Sequence, residues 1–171
     1  MSIQIAGEQK YYDFIEERVK KLRTGMIVWG SLLGVAFIGM FSDVRLALIL
    51  ASVGIALAIL NLKSQQALKG KLEGIEDKEE FFRQLADTDL VEVKEARLMI
   101  TKDYVLGMKE DVFVYSFSEM DKVEVGLQGK VGKTLFLTDR QGIRHEIMSC
   151  VKDDGKQEMF DKIYGVLSER V

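Results

Sequence analysis

The chain has 171 residues, no proline and one cysteine, and its formal net charge at pH 7 is −3. Once two long apolar stretches are subtracted, this length leaves room for one ordinary soluble domain. The lone Cys150 excludes an internal disulfide and suits a reducing compartment. The slight acidity disfavours general nucleic-acid binding, which requires a basic face.

Residues 1–24 predict an N-terminal amphipathic juxtamembrane helix. Between Glu8 and Arg23 the apolar residues recur at helical spacing, and charged residues fill the opposite face. The apolar stripe consists of Tyr11, Ile15, Val19 and Leu22. This helix either lies on the membrane with Lys20, Lys21 and Arg23 at the headgroups, or packs on the cytosolic domain, or continues straight into the next segment. We favour the first two arrangements over the third.

Residues 25–62 predict a transmembrane helical hairpin. Two nearly uninterrupted apolar runs, Gly25–Phe41 and Leu46–Leu60, flank a short polar break that holds the only charges of the segment, Asp43 and Arg45. A helix of about 17–19 residues spans the roughly 30 Å hydrocarbon core of a bilayer. Because no A-x-A cleavage site follows the first run and a second run comes at once, a cleaved signal peptide is disfavoured.

The distribution of basic residues predicts the orientation of this hairpin. Lysines and arginines cluster on both outer flanks, whereas the connecting loop carries only Arg45. The flanking residues are Arg18, Lys20, Lys21 and Arg23 before the first run, and Lys63, Lys69 and Lys71 after the second. By the positive-inside rule we expect a multi-pass protein of the cell (inner) membrane with both termini cytoplasmic.

Small residues on the two runs predict close helix packing. The first run holds a G-x-x-x-G pair and the second a small-residue stripe at 4-3-4 spacing, and such faces let helices approach closely in lipid. The helix-packing residues are Gly30, Gly34, Ala47, Ala51, Gly54 and Ala58. Two arrangements stay open: the two small faces meet inside the hairpin, or one of them pairs two copies of the chain. Neither run contains an ionisable residue, which disfavours an ion or proton pathway.

Residues 63–88 predict a charged helical stalk. The helical pattern of the second run continues beyond Leu62 and ends near Gly74. Asp77 then begins a second short helix, since Glu80 follows it at capping-box spacing.

Residues 89–171 predict a cytosolic α+β or all-β domain. From Leu90 the apolar period changes from 3.6 to 2, and turn residues separate about seven short strands. The strand-like runs cover residues 90–93, 96–101, 104–108, 112–117, 122–127, 134–138 and 143–149. Gly155–Val171 then returns to helical spacing with one apolar face.

The stretch LMITKDYVLGMKEDVFVYSFSEMDKVEVG, residues 98–126, resembles the signature of bacterial membrane proteins with a pleckstrin-homology-like (PH-like) domain. An L-x-x-T-x-x-Y strand pair leads to an acidic or polar turn and then to a y-s-x-x-[DE] corner, with a modest departure at Glu119-Met120-Asp121. A hairpin followed by such a domain is similar to a group of uncharacterised bacterial proteins. The resemblance implies a seven-stranded PH-like barrel with a C-terminal helix, serving as a binding or assembly module, and no catalytic residues.

The chain contains only partial matches to the sequence motifs of catalytic, phosphate-binding and metal-binding sites. Gly132-Lys133-Thr134 ends like a phosphate-binding loop, but it leads into a strand where that loop needs a helix, so it predicts a hairpin turn. His145, the only histidine, and Cys150 are five residues apart on a strand, so we expect them to point to opposite faces and to form no metal site. We expect no catalytic residue, no cofactor and no bound metal.

The leading hypothesis is a non-enzymatic, membrane-anchored scaffold that presents a PH-like domain at the cytoplasmic face. An alternative is a small accessory subunit of a membrane transport or secretion complex. A third is an anionic-lipid sensor using Lys94 and Arg97, although Glu92 and Glu95 interleave with them. The expected partners are membrane lipid and an unknown protein or a second copy of the chain, and not nucleic acid.

Overall fold

The computed structural model of the chain describes residues 3–128, 132–151 and 154–171. The chain divides into two units. The hairpin unit is Tyr12–Glu76, and the β-unit combines the chain up to Tyr11 with Asp77–Val171.

Two long helices form the hairpin unit. Helix α1 runs from Ile3 to Gly39, so its first turns belong to the β-unit, and helix α2 runs from Val44 to Glu73. The amphipathic stretch therefore continues into the first apolar run within one helix, the arrangement that the sequence favoured least. No proline or capping signal interrupts it, and the Thr24 hydroxyl donates to the Lys20 carbonyl at 3.0 Å, one turn back, instead of ending the helix.

Local capping chemistry sets the ends of the next helices. Asp43 caps α2, its carboxylate accepting the backbone N–H groups of Arg45 at 3.0 Å and Leu46 at 3.2 Å. Helix α2 ends at Glu73, and the capping residue Gly74 donates its N–H to the Gly70 carbonyl. Asp77 caps helix α3, Lys78–Leu85, by accepting the Glu80 N–H at 2.9 Å. The predicted helix end near Gly74 and the predicted helix start at Asp77 are confirmed, whereas the cap at Asp43 was not predicted.

The β-unit contains two antiparallel sheets, and α4 follows them. The first sheet has the order β1-β2-β3-β4 and the second β5-β6-β7. The elements are β1 Val91–Val93, β2 Leu98–Ile100, β3 Tyr104–Met108, β4 Val112–Ser116, β5 Met120–Gln128, β6 Gly132–Asp139, β7 Arg144–Val151 and α4 Gln157–Arg170. A single 3₁₀ turn, Phe117–Glu119, links the sheets. The seven strands and the last helix are confirmed. Among the described strands no pairing joins one sheet to the other, so a closed barrel is not confirmed.

Apolar side chains from both sheets and α4 form the core of the β-unit. Helix α4 contributes Phe160, Ile163 and Leu167, which are all buried against the sheet residues. The main sheet contributions are Ile100, Val105, Leu135, Leu137 and Ile147. Gly107 is required in β3 because a Cβ there would lie 2.0 Å from Cζ of Phe113 on the neighbouring strand.

The first turns of α1 pack on α3 within the β-unit. Tyr11 is 1% exposed, and its ring meets Phe81 and Phe82 edge-on at centroid distances of 5.9 and 6.1 Å. A Cβ on Gly7 would lie 1.7 Å from the Phe82 carbonyl oxygen, so the two backbones approach as closely as glycine allows. The N-terminal residues therefore pack on α3, which the sequence analysis placed in the stalk but which belongs to the β-unit.

A buried glutamine fixes α3 to the first sheet. The Gln84 side-chain oxygen accepts from the Thr101 hydroxyl at 2.9 Å and from the Asp103 N–H at 3.0 Å. Its amide nitrogen donates to carboxylates of Glu80 and Asp103. Because a buried amide left unpaired is costly, this network fixes α3 against the β2–β3 turn.

Candidate membrane interface and helix-packing site

Both long helices have the length and composition needed to cross a membrane, over Gln4–Gly39 and Val44–Glu73. Large apolar side chains cover much of their outer surface: Phe37 is 67% exposed, Ile38 70% and Leu60 63%. Each such side chain left in water forgoes about 1.5–3 kcal/mol of burial. Continuous apolar patches of this kind mark surfaces that another apolar phase or partner covers.

The small-residue stripe of α2 faces α1. Ala47 and Gly54 are buried, and Ala51 and Ala58 are half-buried. A Cβ on Gly54 would lie 2.9 Å from Leu33 Cδ2 and 3.5 Å from Leu32 Cβ. The four predicted residues of α2 therefore lie on its α1-facing side, where Gly54 packs against Leu33.

The G-x-x-x-G pair of α1 does not take part in this contact. Gly30 and Gly34 are exposed, and no atom lies within 4 Å of the position of a Cβ on either. The α1 side of the hairpin contact uses Leu32, Leu33 and Gly39 instead, since a Cβ on Gly39 would lie 3.7 Å from Ala47 Cβ. The expectation that the two small faces meet each other is therefore wrong for α1, because its contact face is rotated away from the glycine pair.

Asn61 makes a polar link between the helices that the sequence reasoning missed. Its amide nitrogen donates to the Leu22 carbonyl at 2.9 Å, and its oxygen accepts from Gln65 at 2.7 Å. Gly25 lies against this amide, because a Cβ there would be 2.5 Å from Asn61 Nδ2. A polar side chain at the end of an otherwise apolar run, opposite a glycine, is the only signal for this contact in the sequence. Interhelical hydrogen bonds of this kind contribute about 0.6–2 kcal/mol in membranes.

The predicted basic residues of α1 lie on its exposed surface. Lys20 pairs with Glu16 at 2.8 Å and Lys21 with Glu17 at 3.1 Å, both one helical turn apart. Such exposed pairs contribute only about 0.3–0.5 kcal/mol, so they leave the lysines able to exchange partners. Arg23 is also exposed.

Lys94 and Arg97 lie in the connection between β1 and β2. Both are exposed, and the Arg97 N–H donates to the Lys94 carbonyl at 3.1 Å to close a tight turn. Arg97 has φ of 49°, in the left-handed region that side chains other than glycine seldom adopt. The exposed acidic Glu92 and Glu95 accompany them, as the sequence indicated.

A β-bulge changes the geometry predicted for His145 and Cys150. In the β6–β7 register Leu135 pairs with Met148 but Phe136 pairs with Glu146, so Ile147 is an extra residue. The extra residue shifts the alternation by one, and His145 and Cys150 lie on the same face, about 13 Å apart along the strand. The prediction of opposite faces is wrong, yet this separation is still too large for a shared metal.

His145 takes part in a turn. Its Nε2 lies 3.0 Å from Asp139 Oδ2, and its ring packs 4.6 Å from that of Tyr115. The His145 contact and the backbone N–H groups of Ile143 and Gln141 lower the pKa of Asp139. Asp139 thereby organises the β6–β7 connection.

Among the described carboxylates, Glu124 has the pKa that departs most from its ordinary value, and the sequence analysis did not single this residue out. The Thr138 hydroxyl donates to it at 2.6 Å, Arg144 Nε at 3.0 Å, and Lys122 Nζ lies 3.2 Å away. These donors lower the pKa of Glu124 to about 2. The cluster joins all three strands of the second sheet, which no local sequence pattern reveals.

The other chemistry-bearing motifs also have structural roles. Gly132-Lys133-Thr134 already belongs to β6, so the strand begins earlier than predicted, and residues 129–131 of the predicted turn lie outside the described part. Within the described ranges, no three His, Cys, Asp or Glu side chains gather closely enough to hold a metal ion.

No protein-family model matches the chain, and no curated protein matches its sequence.

Proposed function

We propose that the chain is a non-enzymatic, membrane-anchored scaffold. In this proposal α1 and α2 cross a bacterial inner membrane as a hairpin, and both chain ends are cytoplasmic. The β-unit is then a PH-like interaction module held at the membrane surface. The observation that carries the proposal is the division of the hairpin into a packed small-residue seam and an outer surface of exposed Phe, Ile and Leu side chains.

The hairpin supports membrane insertion through three features. Its outer apolar side chains suit hydrocarbon, its tip carries the polar Asp43 and Arg45, and its basic residues lie on the opposite flanks. The seam between the helices is held by van der Waals packing at Gly54 and by the Asn61 hydrogen bonds. These are the forces that associate helices where water supplies no hydrophobic drive.

The β-unit supports an interaction role by its strand order. A four-stranded sheet, a three-stranded sheet and a final helix packed on the core follow one another as in a PH-like domain. Fold likeness alone does not establish function, so the proposal also depends on how the polar residues are used. The single histidine pairs with Asp139 inside a turn, and Glu124 serves to join strands.

A specific observation favours a second candidate, the accessory subunit of a larger membrane complex. The exposed face of α1 with Gly30, Gly34 and Phe37 has the small-residue spacing that accepts another helix, and α2 does not cover it. The occupant is then a helix of a larger protein instead of a second copy of this chain.

Photo-crosslinking in the membrane separates these two candidates. A photoreactive phenylalanine analogue at Gly34 is compared with the same analogue at Ala51, which faces the hairpin seam. A scaffold that self-assembles gives a crosslinked dimer of this chain from Gly34 only. An accessory subunit gives one discrete heavier product that contains another membrane protein. Recovery of the full-length chain in the aqueous fraction after cell lysis contradicts both candidates.

A further inference from the structure

A groove of about 380 Å³ lies between α1 and α2 inside the hairpin unit. This volume falls in the range of about 300–1,000 Å³ that small-ligand sites occupy. On α1 the lining extends from Arg18 to Val28, which is about 15 Å at 1.5 Å rise per residue. The groove is therefore long enough to hold a headgroup and the first part of an acyl chain.

One end of the groove is basic. Arg18 and Lys21 line it, while within the described chain none of its lining residues is acidic. Lys21 pairs with Glu17 at 3.1 Å but is 65% exposed, and an ammonium has three N–H donors to share. The hydroxyl of Ser64 lies at the same end on α2. This set suits an anionic phosphate.

The other end is apolar. Val28 on α1 and Leu57 and Leu60 on α2 line it, and all three belong to the predicted membrane runs. Asn61 and Gly25 separate the two ends. Because the Asn61 amide is held by Leu22 and Gln65, its polar atoms are satisfied within the protein and the groove keeps its shape.

We propose that this groove binds one anionic phospholipid. Its phosphate lies at Arg18 and Lys21, and one acyl chain runs along Val28, Leu57 and Leu60. The charge at one end and the apolar wall at the other select this occupant over a neutral lipid or a soluble anion. The inference rests on the proposed insertion of the hairpin in a membrane.

The single tryptophan of the chain, Trp29, follows Val28 and provides a natural reporter. Full-length protein is reconstituted in phosphatidylcholine vesicles that contain equal mole fractions of acyl-brominated phosphatidylglycerol or acyl-brominated phosphatidylcholine. We expect stronger quenching of Trp29 by the brominated anionic lipid, since a lipid held in the groove places its acyl chain against Val28, the residue next to Trp29. Arg18→Gln/Lys21→Gln removes this excess.

Lys63→Gln/Lys69→Gln is the matched control, because it removes the same charge from the hairpin unit at two exposed residues outside the groove. We expect it to keep most of the excess quenching. A second variant, Val28→Phe, fills the apolar end and also removes the excess, whereas Ile27→Phe, exposed and outside the groove, does not.

Equal loss in the two charge variants, or no preference for phosphatidylglycerol in the parent protein, overturns the groove as a lipid site. If the protein reconstitutes into vesicles but shows no preference for phosphatidylglycerol, the lipid site is refuted while the proposal of a membrane-anchored scaffold still stands. Protein that stays in the aqueous phase refutes the scaffold as well.

Discussion

Replacing Gly54 by leucine is expected to loosen the hairpin. The Cβ alone would lie 2.9 Å from Leu33 Cδ2, whereas carbon atoms pack best at about 3.5–4.0 Å. The remaining three carbons of the leucine would then have to enter the seam, so either Leu33 leaves its rotamer or α1 and α2 move apart. Overpacking of this kind costs about 1–3 kcal/mol.

Gly30→Leu is the matched control for this substitution. It adds the same side chain to a helix of the same hairpin, but no atom lies within 4 Å of its Cβ position. Helix propensity does not separate the variants, because a transmembrane helix keeps its backbone hydrogen bonds when the hairpin opens. We expect Gly30→Leu to change hairpin stability by less than about 0.5 kcal/mol.

The assay follows hairpin opening in dodecyl maltoside as SDS is added. Energy transfer is measured between dyes on cysteines at Arg23 and Lys63, with Cys150→Ala as background, at a dilution that keeps the protein monomeric. A lower SDS midpoint for Gly54→Leu alone is the expected result. Equal midpoints for Gly54→Leu and its parent, or an equal loss in Gly30→Leu, would refute the helix packing described above.

Three further predictions concern other contacts. The pair Gly39→Cys/Ala47→Cys is expected to form a disulfide on mild oxidation, seen as a dithiothreitol-sensitive gel shift, because the Cβ positions are 3.7 Å apart; Gly34→Cys/Ala47→Cys should not. In an open helix, Gly7→Ala would stabilise the helix by about 1 kcal/mol. Here we expect it to speed hydrogen exchange in α3, because the added Cβ overlaps the Phe82 carbonyl. Unchanged exchange would contradict that contact. Glu124→Gln is expected to lower the urea midpoint of the β-unit at pH 6, measured by near-ultraviolet circular dichroism. The lowered pKa of Glu124, about 2 against 4.5, means that its stabilisation is complete above pH 4.5 and disappears as the pH falls toward 2, so the gap to the parent must close there.

Local chemistry made several elements predictable from the sequence. Asp77 caps its helix through a side-chain oxygen that reaches the Glu80 N–H three residues ahead, a signal contained in a short window. The α1-facing side of α2 follows from helical periodicity, which places Ala47 and Gly54 on one face. Period-two alternation located the seven strands for the same reason.

Long-range contacts could not be predicted in this way. Asn61 and Leu22 are 39 residues apart, and nothing near either residue names the other. The bulge at Ile147 reversed the face of every residue beyond it, because strand parity depends on each pairing step. The rotation of α1 that leaves Gly30 and Gly34 open depends on which ridges of two whole helices fit together.

The central claim is that α1 and α2 cross the membrane and return both chain ends to the cytoplasm. Single cysteines at Ser42, in the hairpin loop, and at Glu169, near the end of α4, test it in a Cys150→Ala background with a membrane-impermeant thiol reagent on intact bacterial cells. We expect the loop cysteine to be labelled in intact cells and the α4 cysteine only after permeabilisation. Labelling of the α4 cysteine in intact cells, or protection of the loop cysteine until permeabilisation, would contradict it.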